Sequence, residues 1–194
     1  MHIEYEATFT PVDKEALRTK LKEVGAELVR SEFMQKRLVL LEPAGHETPG
    51  AFLRVRDQGD KITLARKVIG TAGIADQKET EVTVSNFDDT VSILAESGCV
   101  PSTYEESKRE IWNLDGAEVT IDSWPFLDVL AEVEGSSEDH VKEVSARLGF
   151  EWNQAKFYAV GMVYVEKYGK GPIDIAKETG KLCELRFDGK NPFL

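Results

Sequence analysis

Cysteine is nearly missing from this chain, with Cys99 and Cys183 alone among 194 residues. Two thiols cannot staple a disulfide scaffold, and their spacing fits no metal-ligand pattern, so both are expected to be plain thiols in a reducing compartment. Histidine is scarce too. His2, His46 and His140 share no spacing that points to a metal site or a general base. Also lacking is a cationic excess: 24 Lys and Arg face 35 Asp and Glu, a net charge of -11. Nucleic-acid and anionic membrane surfaces need clustered positive charge, so neither partner is expected. No apolar run approaches transmembrane length, and residues 1–6 carry charge where a signal peptide would be apolar, so a cytoplasmic location is expected. What is present, 41% hydrophobic and 30% charged residues, suits a globular protein with a core of its own.

Two glutamates one residue apart occur three times in strand-like text: Glu4-Tyr5-Glu6, Glu79-Thr80-Glu81 and Glu132-Val133-Glu134. Side chains alternate across a strand, so each pair shares a face. Carboxylates on one face repel one another unless cations sit between them. The chain supplies basic partners in Arg54-Val55-Arg56 and the Lys108-Arg109 step. Strands carrying both signs suggest a site for a polyanion with its metal ions. A single acidic pair would read as a solvated face; three, with arginines between, favour function.

An internal duplication organises the rest. Residues 4–13 align without a gap on residues 79–88, and both copies run from a period-two strand into a helix. Asp13 caps the first helix, Leu17, Leu21 and Val24 form its apolar stripe, and Gly25 stops it; Asn86 or Asp88, then Val91, Leu94 and Ala95, then Gly98 repeat the plan. A strand follows each helix, around Arg37 and around Arg109. Residues 51–56 and 61–67 flank the turn 57–60, while residues 118–122 and 127–134 flank a corner at 123–126. That makes about eight strands joined mostly by short loops, an α+β protein dominated by antiparallel sheet. A third helix is expected over 136–148, with Ser136 and Asp139 in capping-box spacing and Gly149 ending it. Residues 42–50 and 68–78 read as mobile loops. Residues 158–168 read as a short helix, followed by a linker into a polar tail. The division expected is 1–168 for the main domain and 169–194 for an extension whose structure the pattern leaves open.

The order Glu-x-Glu, Leu-Arg-x-Arg, Leu-x-x-Lys, Glu-x-Glu, Lys-Arg-x-x-Trp, Ile-Asp, Glu-x-Glu, spanning about residues 3–135, resembles the CYTH superfamily of triphosphate tunnel metalloenzymes. The stretch from Ile121 to Phe126 and on to Gly135 looks like its bacterial class IV adenylyl cyclase branch. The resemblance implies a closed eight-stranded β-barrel with flanking helices, built from two strand-helix-strands halves, that takes a triphosphate and divalent cations. Glu4, Glu6, Glu132 and Glu134 match its metal ligands, and Asp122 falls where another acidic residue completes the set. An oxygen-only donor set suits Mg or Mn. Arg54, Arg56, Lys67 and Arg109 match phosphate-binding positions, and Glu81, Arg109 and Lys67 are expected to serve the reaction itself. The reactions implied are ATP to cyclic AMP and pyrophosphate, or hydrolysis of thiamine triphosphate or inorganic tripolyphosphate. A binding module without turnover fits the same lining, and a homodimer is left open.

The sequence departs from the family's opening Glu-x-Glu-x-Lys, for Thr8 stands at the third position. Arg37, on the next strand, is expected to take over that phosphate. Lys36 and Lys108 adjoin arginines and are expected to point outward. The bland reading of Arg54 and Arg56 is pairing on an exposed sheet face. Trp124 reads as a packing anchor at a strand corner, with base stacking as the alternative; Trp112 and Trp152 read as packing residues. Lys156 and Tyr158 lie where the family has a C-terminal basic element, with surface placement as the alternative.

Overall fold

The computed structural model describes residues 2–70 and 73–194. Each half opens with a strand and helix and continues into a long strand and a hairpin. The first half comprises β1 (His2–Ile3), β2 (Tyr5–Phe9), α1 (Lys14–Glu23), β3 (Glu27–Leu41), β4 (Ala51–Asp57) and β5 (Ile62–Ile69). The second comprises β6 (Gln77–Val84), α2 (Phe87–Glu96), β7 (Val100–Leu114), β8 (Ala117–Ser123) and β9 (Leu130–Gly135). The long strands β3 and β7 have 15 residues each, as a duplication requires. Then come α3 (Glu138–Leu148), α4 (Val160–Tyr168), α5 (Pro172–Thr179) and β10 (Cys183–Leu185).

The sheet runs β1-β6-β5-β4-β3-β7-β8-β9-β2, antiparallel throughout. Its ends, β1 and β2, are consecutive in the chain and separated only by Glu4, whose N–H donates to the Gln77 carbonyl at 3.0 Å. The Gln77 side chain donates across the same seam to the Glu6 carbonyl. The sheet is therefore a nearly closed barrel, and with β1 and β2 taken as one strand broken at Glu4 it has the eight strands expected. Parallel to β7, β10 extends the sheet at Thr103 to Glu105.

This barrel is inverted relative to an ordinary core. Along β9, Ala131 and Val133 point outward into an apolar cluster, whereas Glu132 and Glu134 line the interior. Leu17 and Leu21 of α1 and Val141, Val144 and Leu148 of α3 cover that outer face together with Trp112, Val119 and Ile121. A second cluster seats α2 on β3 and β4 through Phe87, Leu38, Leu40 and Val55. Burial that stabilises the fold is thus placed outside the sheet, which frees the interior for charge.

Local signals set the helix ends. The Asp13 carboxylate accepts from the N–H groups of Glu15 and Ala16, and Asn86 accepts from Asp89. The third cap differs from expectation: Ser137 accepts from His140, one residue later than Ser136, and Gly149 ends α3 at φ 87°. The segment 68–78 is also shorter as a loop. Val68 and Ile69 belong to β5 and pair with Lys78 and Gln77, because β-branched residues fit that ladder, and a 3-10 turn at Ile74–Asp76 shortens the connection; Thr71 and Ala72 lie outside the described residues. The tail is folded, since α5 and β10 join Tyr164, Ile175, Cys183 and Leu185 in a third apolar cluster. Among the described residues no helix is long and apolar enough to cross a membrane.

Candidate functional site

The interior encloses a cavity of about 530 Å³. Period-two alternation carries Glu4, Glu6, Arg37, Arg54, Arg56, Lys67, Glu79, Glu81, Arg109, Glu132 and Glu134 to its wall. Asp122 is not at the wall. It is fully buried beneath Arg109, which donates to it through Nε at 2.8 Å and Nη2 at 2.6 Å. Arg109 Nη2 also reaches Glu132 at 2.6 Å. Burial opposes the Arg109 charge, but Asp122 and Glu132 outweigh it and hold the guanidinium charged well beyond its ordinary range.

Register separates the charges into two sides. Glu6 pairs with Glu134, which pairs in turn with Glu118, so three carboxylates stand side by side across β2, β9 and β8. Burial, and then the neighbouring carboxylates, push Glu6 up to about 8 and Glu134 to about 7. Lys67 stands against this group, with Nζ 2.8 Å from Glu4 and 3.8 Å from Glu6, and these carboxylates raise its pKa despite burial. On the other side, Arg37 and Arg56 are direct cross-strand partners on β3 and β4. Arg54 bonds Glu79 at 3.0 Å, and Arg56 bonds Glu81 at 3.0 Å. The small Ala65, fully buried on the intervening strand, leaves room for Arg54 to cross to β6.

Among the described residues Arg37 has no carboxylate hydrogen bond. Its Nη2 donates to the neutral groups Gln35 Oε1 at 2.8 Å and Ser107 Oγ at 2.9 Å, and the guanidinium lies 4.3 Å from the Trp124 ring centroid. The Nε groups of Arg37, Arg54 and Arg56 are buried without a hydrogen-bond partner among the described residues. Burial, then repulsion from Arg54 and its neighbours, pushes Arg37 down to about 10 and Arg56 to about 9. Desolvated like charges with unspent donors form a receptor for an anion of several charges.

The acidic side has donor chemistry that fits a hard divalent cation: oxygen atoms only, crowded enough to resist full ionisation. Among the described residues no group of three or more His, Cys, Asp or Glu side chains is arranged to hold a metal by itself. Mg²⁺ needs no such cage, because it binds through one or two carboxylates, waters and substrate oxygens. Glu6 and Glu134 are direct cross-strand partners on this side of the interior.

Other side chains sort as follows. Lys36 points away from the interior, ion-paired to Asp57 at 3.4 Å and above the Phe87 ring. Lys108 lies over Phe187. Thr8 is buried on the inward face of β2, opposite Glu132, with a backbone bridge to Lys156, and does not reach the cavity surface. Trp124 is 3% exposed and already covered by Arg37, so it packs. Trp112 is core, and Trp152 packs against Phe157. Lys156 and Tyr158 both bond Glu166. Glu105 and Glu118 line the cavity yet escape the sequence reading; extending the alternation from Arg109 back to Glu105, and from Asp122 back to Glu118, would have found both.

A model of the CYTH domain matches residues 2–158. No curated protein matches the chain. Solved structures share the fold: a conserved hypothetical protein from Pyrococcus furiosus superposes with TM-score 0.69 at 20% identity, covering 80% of this chain and 96% of that one. A candidate adenylate cyclase from Vibrio parahaemolyticus gives 0.69 at 12% identity, covering 84% and 97%. A candidate adenylyl cyclase from Hippeastrum, described as having a dominant triphosphatase activity, gives 0.58 at 14% identity, covering 86% and 96%. With the family model spanning most of its length and the barrel carrying its charges inside, this chain belongs to the CYTH domain family.

Proposed function

We propose that the barrel binds a triphosphate and processes it with a divalent cation, Mg or Mn, in the manner of a class IV adenylyl cyclase. The observation that carries this reading is the Arg37 and Arg56 cross-strand pair, two guanidinium groups facing each other, each with a buried Nε that has no hydrogen-bond partner among the described residues. Glu81 and Glu105 offset part of that repulsion, and a multiply charged anion relieves the rest. Arg37, Arg54, Arg56, Lys67 and Arg109 grip phosphate oxygens, Arg109 on the cradle supplied by Asp122. Glu81 and Glu79 aim Arg56 and Arg54. Glu4, Glu6, Glu132 and Glu134 hold the cation, with Asp122 serving through Arg109. A bound divalent cation supplies charge neutralisation of the phosphate oxygens.

The residues then do what a phosphoryl-transfer site requires: they fix the phosphate chain, neutralise charge that develops on its oxygens and keep the attacking group in line. In a cyclase that group is the ribose 3′-hydroxyl, attacking the α-phosphorus with loss of pyrophosphate. In a triphosphatase it is water at the terminal phosphorus. The second reaction is favoured by one observation: Trp124, at the cavity wall, is 3% exposed and already stacked against the Arg37 guanidinium. Incubating the protein with ATP, thiamine triphosphate and tripolyphosphate in Mg²⁺ or Mn²⁺ and identifying products by phosphorus NMR tests the proposal. Cyclic AMP with pyrophosphate supports the cyclase, orthophosphate supports the triphosphatase, and no product and no binding with any of the three refutes the reading.

A further inference from the structure

Glu79 carries a different cation on each oxygen of its carboxylate. Oε1 receives Arg54 Nη2 at 3.0 Å, and Oε2 stands 3.7 Å from Lys67 Nζ. Lys67 is its direct cross-strand partner on β5, and both side chains are buried. The same ammonium reaches the seam of the barrel, 2.8 Å from Glu4 Oε2 and 3.8 Å from Glu6 Oε1. One chain of charges therefore runs from the arginine side to the acidic side: Arg54, Glu79, Lys67, then Glu4 and Glu6. Lys67 neutralises Glu4 without satisfying it, because Glu4 Oε2 is buried and has no hydrogen bond of regular geometry among the described residues.

We infer that Lys67 holds the place of the divalent cation until the substrate arrives, and that Glu79 takes this ammonium over when phosphate draws Arg54 away. The inference rests on the tunnel reading and adds to it how the two sides of the site fill together. A hard cation binds carboxylate oxygens at about 2.1 Å, so an ion on Glu4 and Glu6 meets the Lys67 charge on the same oxygens. The ammonium must leave them. Glu79 is ready to receive it, since the two are paired across β5 and β6 and stand within 3.7 Å. Arg54 holds the other oxygen of that carboxylate. A phosphate competes for the guanidinium through charge-assisted hydrogen bonds, and each one it gains releases Glu79 toward Lys67. Resting on Glu79, the ammonium stays at the cavity wall, where it can still neutralise phosphate oxygens. Anion and cation then favour each other's entry although they touch different side chains, and linkage makes that coupling equal in both directions. Glu79 is accordingly a positioning residue, which moves a competing charge and does not itself bind the cation.

The test titrates Mn²⁺ alone, with no triphosphate, into the parent and its variants in mildly alkaline buffer, where protons compete least for these carboxylates. Lys67→Met should bind Mn²⁺ at least tenfold more tightly than the parent, because the competing ammonium is gone. Arg54→Met, which releases Glu79 as a phosphate would, should bind at least threefold more tightly, and that gain should shrink below twofold once Glu79→Gln is present in both proteins. Glu79→Gln alone should bind at least tenfold more weakly, but less than threefold more weakly in the Lys67→Met background. Three results overturn the inference: Lys67→Met binding Mn²⁺ no better than the parent, an Arg54→Met gain that is absent or survives Glu79→Gln, or a Glu79→Gln loss of the same size without Lys67, which would make Glu79 a cation ligand. The tunnel reading survives each of these if the parent binds tripolyphosphate or ATP in Mn²⁺; a parent that binds neither removes both. Lys67→Gln, with the same expected gain, replaces a Lys67→Met protein that does not fold.

Discussion

Arg37 and Arg56 stand directly opposite each other in the β3–β4 ladder, and among the described residues Arg37 donates hydrogen bonds to neutral groups, lies against the Trp124 ring and has the buried Glu105 as its cross-strand partner on β7. Like charges placed directly opposite in a sheet are destabilising. The buried Glu105 carboxylate is the partner of Arg37 on β7, so Arg37→Met removes a repulsion on one side and an attraction on the other; it should weaken triphosphate binding at least tenfold and change the stability of the ligand-free protein by less. Thermal unfolding and titration calorimetry read the two effects separately. Lost stability with unchanged affinity would make Arg37 a structural residue.

Arg54→Ala and Arg56→Ala should weaken triphosphate binding more than monophosphate binding, because a longer anion spans more of the tunnel. Charge-assisted hydrogen bonds contribute roughly 1.5–3 kcal/mol each, enough for a tenfold loss. Lys36→Ala and Lys108→Ala, which remove side chains lying against Phe87 and Phe187, should change affinity by less than twofold. Equal sensitivity of lysines and arginines would contradict the observed register.

Asp122 is buried with Arg109 as its bidentate partner. Breaking a buried pair from one side leaves an uncompensated charge, at a cost of about 3–5 kcal/mol. Asp122→Ala should lower the melting temperature and, through a misplaced Arg109, the affinity for triphosphate. A variant as stable as the parent would show that Arg109 does not depend on Asp122.

The barrel was legible where its alternation is regular: Glu132-Val133-Glu134 states in three residues that one face is apolar and the other acidic. The capped helices α1 and α2 were legible for the same local reason. Less so was whatever depends on distant partners. The strand β10 has three residues and exists only through its pairing with β7, and α5 is held by the Tyr164 cluster. Likewise, nothing near Asp122 in sequence reveals that Arg109 covers it. Glu105 and Glu118 were missed because neither sits in a two-carboxylate motif, although their parity with Arg109 and Asp122 places both inside.

Stability of the cation-free protein should depend on pH through Glu6 and Glu134, held in the fold at about 8 and about 7 against an ordinary 4.5. The folded state binds these protons more tightly than the unfolded chain does. Their contribution is full below the ordinary value and is lost as pH rises through 7 and then 8. Melting curves in excess chelator should fall across that window, and Glu6→Gln should flatten the decline. An equally steep decline in the variant would remove Glu6 from the account.

The most direct test of a metal-assisted polyanion tunnel is a titration of triphosphate, diphosphate and monophosphate forms of one nucleoside, in Mg²⁺ and again in excess chelator. The account predicts affinity rising with each added phosphate in Mg²⁺ and collapsing at least tenfold on chelation, because Glu4, Glu6, Glu132 and Glu134 then repel the anion. Affinity that ignores phosphate number, or that survives chelation undiminished, would contradict it.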